Sequence, residues 1–201
     1  INWHIFSQAN TDRVLVGKDG WFFLGGASTI ENVSHQQQFN QRELEHWRDV
    51  LVAKRDWLRE KGVKYAFVVS PNKHTIYPEN LPNHMVQMNP SSCFDQLISY
   101  LKNHSDLAVI DLRDKLISSK SLLRNYHKTD HHWNENGAFI AYRETMRYLF
   151  SEGDTSHIKK RDYFEETEKI ISGQDLALMM GLENQIQETN LMLRPKKRCA
   201  S

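Results

Sequence analysis

Apolar positions change period several times along the chain, and each change predicts an element. Val14, Leu15 and Val16 form a short β-prone run, and so do residues 21–24. Between them Gly17-Lys18-Asp19-Gly20 ends in Asp-Gly, a strong turn signal, so a hairpin is predicted. Over residues 41–61, Leu44, Trp47, Leu51, Trp57 and Leu58 recur near helical spacing with charges between them. That predicts an amphipathic helix with both tryptophans on its core face. Asn40 and Glu43 suit its start and Gly62 its stop. Residues 63–69 are apolar, β-prone and too short for another helix, so they read as a buried strand. Residues 70–82 are polar, carry three prolines and read as a loop. A second helix is predicted over 92–101, a second buried strand over 107–112 and a third helix over 113–119.

Strand, helix, strand and helix in that order predict an α/β fold: a parallel sheet flanked by helices, with the hairpin at its N-terminal side. Ligands of such sheets bind beyond the carboxyl ends of the strands, which puts residues 70–82 and the chain after Asp111 on the functional rim. No repeat or linker divides the 201 residues, a length suited to one domain.

A formal net charge of +1 supplies no field for nucleic acid or an anionic membrane. No apolar run reaches the roughly 18 residues of a transmembrane helix, and residues 1–9 lack the pattern of a signal peptide. Cys93 and Cys199 make no zinc spacing and fit either a disulfide or two thiols. Lys196-Lys197-Arg198 reads as a solvated tail.

Candidate chemistry concentrates in Tyr126-His127-Lys128-Thr129-Asp130-His131-His132-Trp133-Asn134-Glu135-Asn136-Gly137. A helix is predicted after it, with Asn134 as N-cap. In extended chain, residues two apart share a side, so Asp130 and His132 converge while His131 faces away. A carboxylate on one imidazole nitrogen fixes the tautomer and leaves the other nitrogen as a base toward a hydroxyl. A loop-bracing Asp beside a surface His is the competing reading of the same spacing.

Four segments, in order, resemble the SGNH-hydrolase-like domains of the alginate O-acetylation proteins, the AlgX and AlgJ type. Gly17-Lys18-Asp19-Gly20-Trp21-Phe22-Phe23-Leu24 is similar to the family's opening hairpin. Val68-Val69-Ser70-Pro71-Asn72-Lys73-His74-Thr75-Ile76-Tyr77-Pro78-Glu79 is similar to the loop after its first sheet strand. Thr129-Asp130-His131-His132-Trp133-Asn134 with Gly137-Ala138 resembles its Asp-x-His-Trp motif, and Gln174-Asp175-Leu176 its Gly-Asp-Leu segment.

The resemblance implies an SGNH-hydrolase-like fold, flavodoxin-like in its three layers. It also implies a serine-esterase mechanism that carries acetyl groups to hydroxyls of an exported polysaccharide, in the periplasm or at the cell envelope. No cofactor or metal is implied. Asp130 would orient His132, His132 would be the general base, and Lys73, Tyr77 and Trp133 would line the substrate cleft. An acetyl donor presented by a membrane protein belongs to the same implication.

In this family the serine follows the Asp and His after a further strand, and no such segment is legible beyond Leu182, where the chain turns polar. Ser201 has no strand-to-turn context, and Ser70 has no glycine beside it to open an oxyanion hole. The expectation is one domain over residues 1–201, with an opening hairpin at 13–25 and a core at 40–190. It is expected to be incomplete at its C-terminal end, inactive alone, and open at a sheet edge to self-association. One rival is a noncatalytic carbohydrate-binding or scaffold domain of the same fold, with Trp21 and Trp133 as sugar contacts. Another is a metal site from His127, Asp130, His131 and His132, whose spacing matches no ligand motif.

Overall fold

The computed structural model describes residues 13–85, 89–150 and 155–196. In chain order they form β1 (Val14–Val16), β2 (Phe22–Leu24), α1 (Ala27–Val33), α2 (Gln41–Arg59), β3 (Phe67–Val69), α3 (Lys73–Ile76) and α4 (Cys93–His104). Then follow β4 (Val109–Asp111), α5 (Arg113–Ser119), α6 (Glu135–Leu149), β5 (Phe164–Ser172), α7 (Asp175–Met179) and β6 (Gln187–Pro195). Internal contacts gather these into two compact units. One comprises the chain up to Gly26, Pro71–Pro82 and the chain from Arg113; the other comprises Ala27–Ser70 and Asn83–Leu112.

The second of these units holds the parallel pair, β3 beside β4, with Phe67 opposite Val109 and Val69 opposite Asp111. Its helices start on reciprocal caps. Asn40 Oδ1 accepts the Glu43 N–H at 3.0 Å while Glu43 Oε2 accepts the Asn40 N–H at 2.8 Å. Ser92 and Asp95 repeat the device at α4, each satisfying donors that a helix end leaves orphaned. Leu51 of α2 meets Leu97 and Leu101 of α4 and Leu107, and Phe67 and Val109 of the strands pack on that cluster. Of the two tryptophans of α2, Trp57 is off this face and 58% exposed, whereas Trp47, one turn before Leu51, sits at its edge, 39% exposed with its ring 6.5 Å from that of Phe67. Six residues past Leu51, Trp57 falls about 120° round the helix from the buried stripe. The strand expected over 63–69 is also shorter and less buried, because its ladder with β4 runs only from Phe67 to Val69.

In the other unit, β1 and β2 form the hairpin, Val14 opposite Leu24 and Val16 opposite Phe22. The turn uses left-handed backbone at Asp19 (φ +52°) and Gly20 (φ +77°), which Asp tolerates and Gly prefers. Val14 and Phe22 pack with Leu176 and Ala177 of α7 into a buried cluster. The segment expected as a polar loop over 70–82 contains α3 and a 3-10 turn, Pro78–Asn80, and buries Lys73, His74, Ile76, Tyr77 and Leu81. Beyond Leu182, where a polar tail was expected, β6 pairs antiparallel with β5 over nine residues, Phe164 opposite Pro195 and Ser172 opposite Gln187. Its inward positions include Glu188 and Asn190, so hydrophobic alternation had nothing to register. Cys93 is half-buried and its thiol donates to the Gln37 carbonyl; Lys197, Arg198, Cys199 and Ser201 lie outside the described residues. Among the described residues no helix is long and apolar enough to cross a membrane.

Candidate active site

An isolated bridge pairs Tyr126 with Trp133 and pinches residues 127–132 into a loop. Asn134 closes its base: its N–H donates to the Asn125 carbonyl at 2.9 Å, and its Oδ1 accepts the N–H groups of Asn136 (3.1 Å) and Gly137 (3.2 Å) to start α6. A Cβ on Gly137 would lie 2.4 Å from the Asn125 carbonyl oxygen and 2.8 Å from the Trp133 Cβ, so the chain needs glycine for this close approach.

The loop tip is held from three directions. Glu188 of β6 accepts the N–H groups of Lys128 (2.8 Å) and Thr129 (3.1 Å) and the Thr129 hydroxyl (2.6 Å), and pairs with Arg124 at 2.8 Å. The start of α7 donates the Leu176 N–H to the Thr129 carbonyl at 3.0 Å. Lys73 Nζ donates to the carbonyls of Phe22 (2.5 Å), Lys128 (2.9 Å) and Asp130 (2.9 Å). Three acceptors use all three N–H bonds of the ammonium. Burial pulls Lys73 down to about 7, against the charges of Glu188 and Asp130.

Lys73 and Tyr77 therefore do not present themselves to a cleft. Lys73 is 2% exposed, and the buried Tyr77 accepts the Asn125 N–H at 2.9 Å while its ring lies 4.3 Å from that of Trp21. Trp21, expected as a sugar contact, is buried in the same stack. The physical reason is shared: residues 71–82 wind into short helical turns that point these side chains inward, where a loop would have let them out. Trp133 is half-buried.

Asp130 and His132 are in contact. Asp130 Oδ1 accepts both the backbone N–H and the ring Nδ1–H of His132, each at 2.7 Å. An ionised carboxylate only accepts, so Nδ1 carries the proton and Nε2 is left as a base. Burial works to raise the Asp130 carboxyl, but the hydrogen bonds and charge of His132, with a hydrogen bond to Asp175, outweigh it and leave Asp130 below the usual carboxylate range. The Asp130 side chain is 16% exposed and that of His132 64%, a shielded anchor under an open base.

His131 does not face away as alternation required. Its ring centroid lies 3.7 Å from that of His132, and its Nδ1 is bonded to Asp175. Alternation holds for extended strand, and residues 128–132 are bent. Asp175, together with Glu188, escaped the reading of the sequence as a site residue. For Asp175 a signal existed, since it stands in the Gln174-Asp175-Leu176 segment; a lone glutamate in a polar strand gave none. Among the described residues, donor atoms of Asp130, His131, His132 and Asp175 lie within 4.8 Å of one another, a grouping with the donor set for a metal ion. His127 is not in that group. All four side chains already have partners as two imidazole–carboxylate pairs. Beside the loop a cavity of about 260 Å³ is lined by Phe22, Lys128, Thr129, Leu182, Gln187 and Glu188, among others.

The sequence profile described as the SGNH hydrolase-like domain of acetyltransferase AlgX matches residues 14–198. The chain belongs to this family. Its fold is accordingly the SGNH-hydrolase-like α/β fold. Among curated proteins, this AlgX-family chain is 32% identical over 128 residues to the probable alginate O-acetylase AlgJ of Pseudomonas aeruginosa, which covers 62% of the chain and 30% of that protein. It therefore spans less than a third of the curated relative's length. Bacillus cereus PatB1 with a sulfonyl adduct superposes with a TM-score of 0.63 at 20% identity, over 93% of this chain and 57% of that one. The O-acetyltransferase domain of Pseudomonas putida AlgJ gives a TM-score of 0.58 at 18% identity, over 92% and 66%. At these identities the two superpositions speak for the fold alone.

Proposed function

We propose that Asp130 and His132 are the base half of an acetyl-transfer site acting on hydroxyls of an exported polysaccharide, alginate or a chemically similar chain. The observation that carries this is the 2.7 Å contact that orients a solvent-open imidazole on a shielded carboxylate, in a member of the AlgX family. His132 Nε2 takes the proton of a serine hydroxyl as its oxygen attacks the carbonyl of an acetyl ester. Asp130 stabilises the imidazolium, which returns the proton to the leaving oxygen. The same Nε2 then deprotonates a sugar hydroxyl, whose oxygen attacks the acetyl-serine; the acetyl–Oγ bond breaks, the imidazolium returns the proton to the serine oxygen, and the acetylated sugar leaves. Half-buried Trp133, next to the base, offers a ring face for a sugar, and the mixed apolar and polar cavity beside Thr129 suits a neighbouring unit. Work on an exported polymer places the protein at the cell envelope, with a membrane protein presenting the acetyl donor.

The test compares this chain with the full-length product of its gene for hydrolysis of a chromogenic acetyl ester, each with and without His132→Ala. Turnover in the full-length form that His132→Ala abolishes is the expected result. If neither form turns over while the polysaccharide is still bound, the dyad is structural and the protein is a carbohydrate-binding relative of the fold.

A further inference from the structure

We propose that Asp175 and His131 form a second carboxylate–imidazole pair whose task is to position His132, making Asp175 a positioning residue for the base. The proposal rests on the reading of Asp130 and His132 given above.

Asp175 grips His131 twice: Oδ1 accepts its backbone N–H at 3.2 Å, and Oδ2 holds its ring Nδ1. Backbone and ring are thereby fixed together. The His131 ring then stands 3.7 Å from the His132 ring, inclined by 40°. Asp130 anchors the His132 ring at one nitrogen only, and that ring is largely exposed. A hydrogen bond at one atom leaves the ring free to swing about it; a wall beside its face removes that freedom.

Asp175 is itself well founded. Leu176 and Ala177, which follow it, are fully buried, and their N–H groups donate to the Thr129 carbonyl at 3.0 and 3.3 Å. The Gln174 N–H donates to the Thr129 hydroxyl at 3.0 Å. One short helix thus sets both the residue before Asp130 and the carboxylate that holds His131. The Asp175 carboxylate reaches His131 through both oxygens and also stands in hydrogen-bond contact with the Asp130 side chain.

The test is a histidine side-chain NMR titration, in chelator-treated protein, of the wild type, Asp175→Asn and His131→Ala. Asn is nearly isosteric with Asp, and the backbone bonds of α7 do not depend on its charge. In Asp175→Asn the His132 ring is expected to lose its strong Nδ1–H preference and its single well-ordered set of ring signals. In His131→Ala the same tautomer preference is expected to weaken. An unchanged His132 tautomer and ring order in folded Asp175→Asn overturns the proposal. If that variant does not fold, an unchanged His132 tautomer in His131→Ala overturns it.

Activity is read separately. In whichever form hydrolyses an acetyl ester, Asp175→Asn is expected to lower kcat about tenfold or more with KM little changed. If no form hydrolyses the ester while the NMR change is present, the acetyl-transfer reading fails and the positioning pair stands.

Discussion

The Lys73 ammonium lies 2.9 Å from the carbonyl oxygen of Asp130, the residue whose carboxylate holds His132. The same nitrogen reaches β2 through Phe22 and the loop through Lys128, so one buried cation ties the hairpin to the base of the candidate site. Lys73→Met keeps the apolar stem and removes the ammonium from three carbonyls, of which that of Lys128 still accepts the Phe22 N–H at 2.8 Å. Each unsatisfied buried group costs roughly 1–3 kcal/mol, so a loss of about 2 kcal/mol or more is expected in urea unfolding. A midpoint equal to that of the wild type would show that water replaces the ammonium at no cost.

Asp130→Asn tests the tautomer argument. Asparagine can offer an N–H where the carboxylate offered only acceptors, and it then selects the wrong nitrogen of His132 for the proton. In the form that hydrolyses acetyl esters, kcat is expected to fall about 10³–10⁴-fold with the circular dichroism spectrum unchanged. A drop below tenfold would remove Asp130 from the mechanism.

Gly137→Ala tests the entry to α6. Its Cβ would meet the backbone oxygen of Asn125 at 2.4 Å, and backbone yields less readily than a side chain. Destabilisation of about 1–3 kcal/mol is expected, as for overpacking elsewhere. Thermal denaturation checks it, and an unchanged Tm counts against the packing described.

His74 provides a pH dependence with a definite sign. Its Nε2–H donates to the Leu24 carbonyl at 3.0 Å, and burial lowers its pKa from 6.5 to about 4. Between those values the unfolded chain binds a proton that the folded chain refuses, so stability falls as pH drops from about 6.5 to 4 and levels off below. At about 1.4 kcal/mol per unit the contribution is on the order of 3 kcal/mol. Denaturant titrations at pH 7 and pH 4.5 should differ less in His74→Gln than in the wild type. Equal pH sensitivity in both would assign the effect to other groups.

What was legible in the chain were its local codes. Asp19-Gly20 made the hairpin turn, Asn40 with Glu43 opened α2, Asn134 opened α6, and the run over residues 113–119 became α5. Each is written in neighbouring residues whose hydrogen bonds close within a turn or two, so a sequence window contains the whole interaction. The separation of two between Asp130 and His132 is of the same kind, since both atoms of that contact come from one bend of the chain.

Tertiary structure decided everything that depends on distant partners. Periodicity ranked Trp57 with the core although its place on α2 leaves it 58% exposed, and it passed over β6, whose inward Glu188 and Asn190 are polar. A glutamate 59 residues beyond Thr129 satisfies its amide, and an aspartate 44 residues beyond His131 holds its ring. The family resemblance set Lys73 in the lining of the substrate cleft; three carbonyls delivered by β2 and the loop turned it inward. Burial and long-range hydrogen bonds are properties of assembled segments, and a linear pattern carries the donors and acceptors without saying which of them will meet.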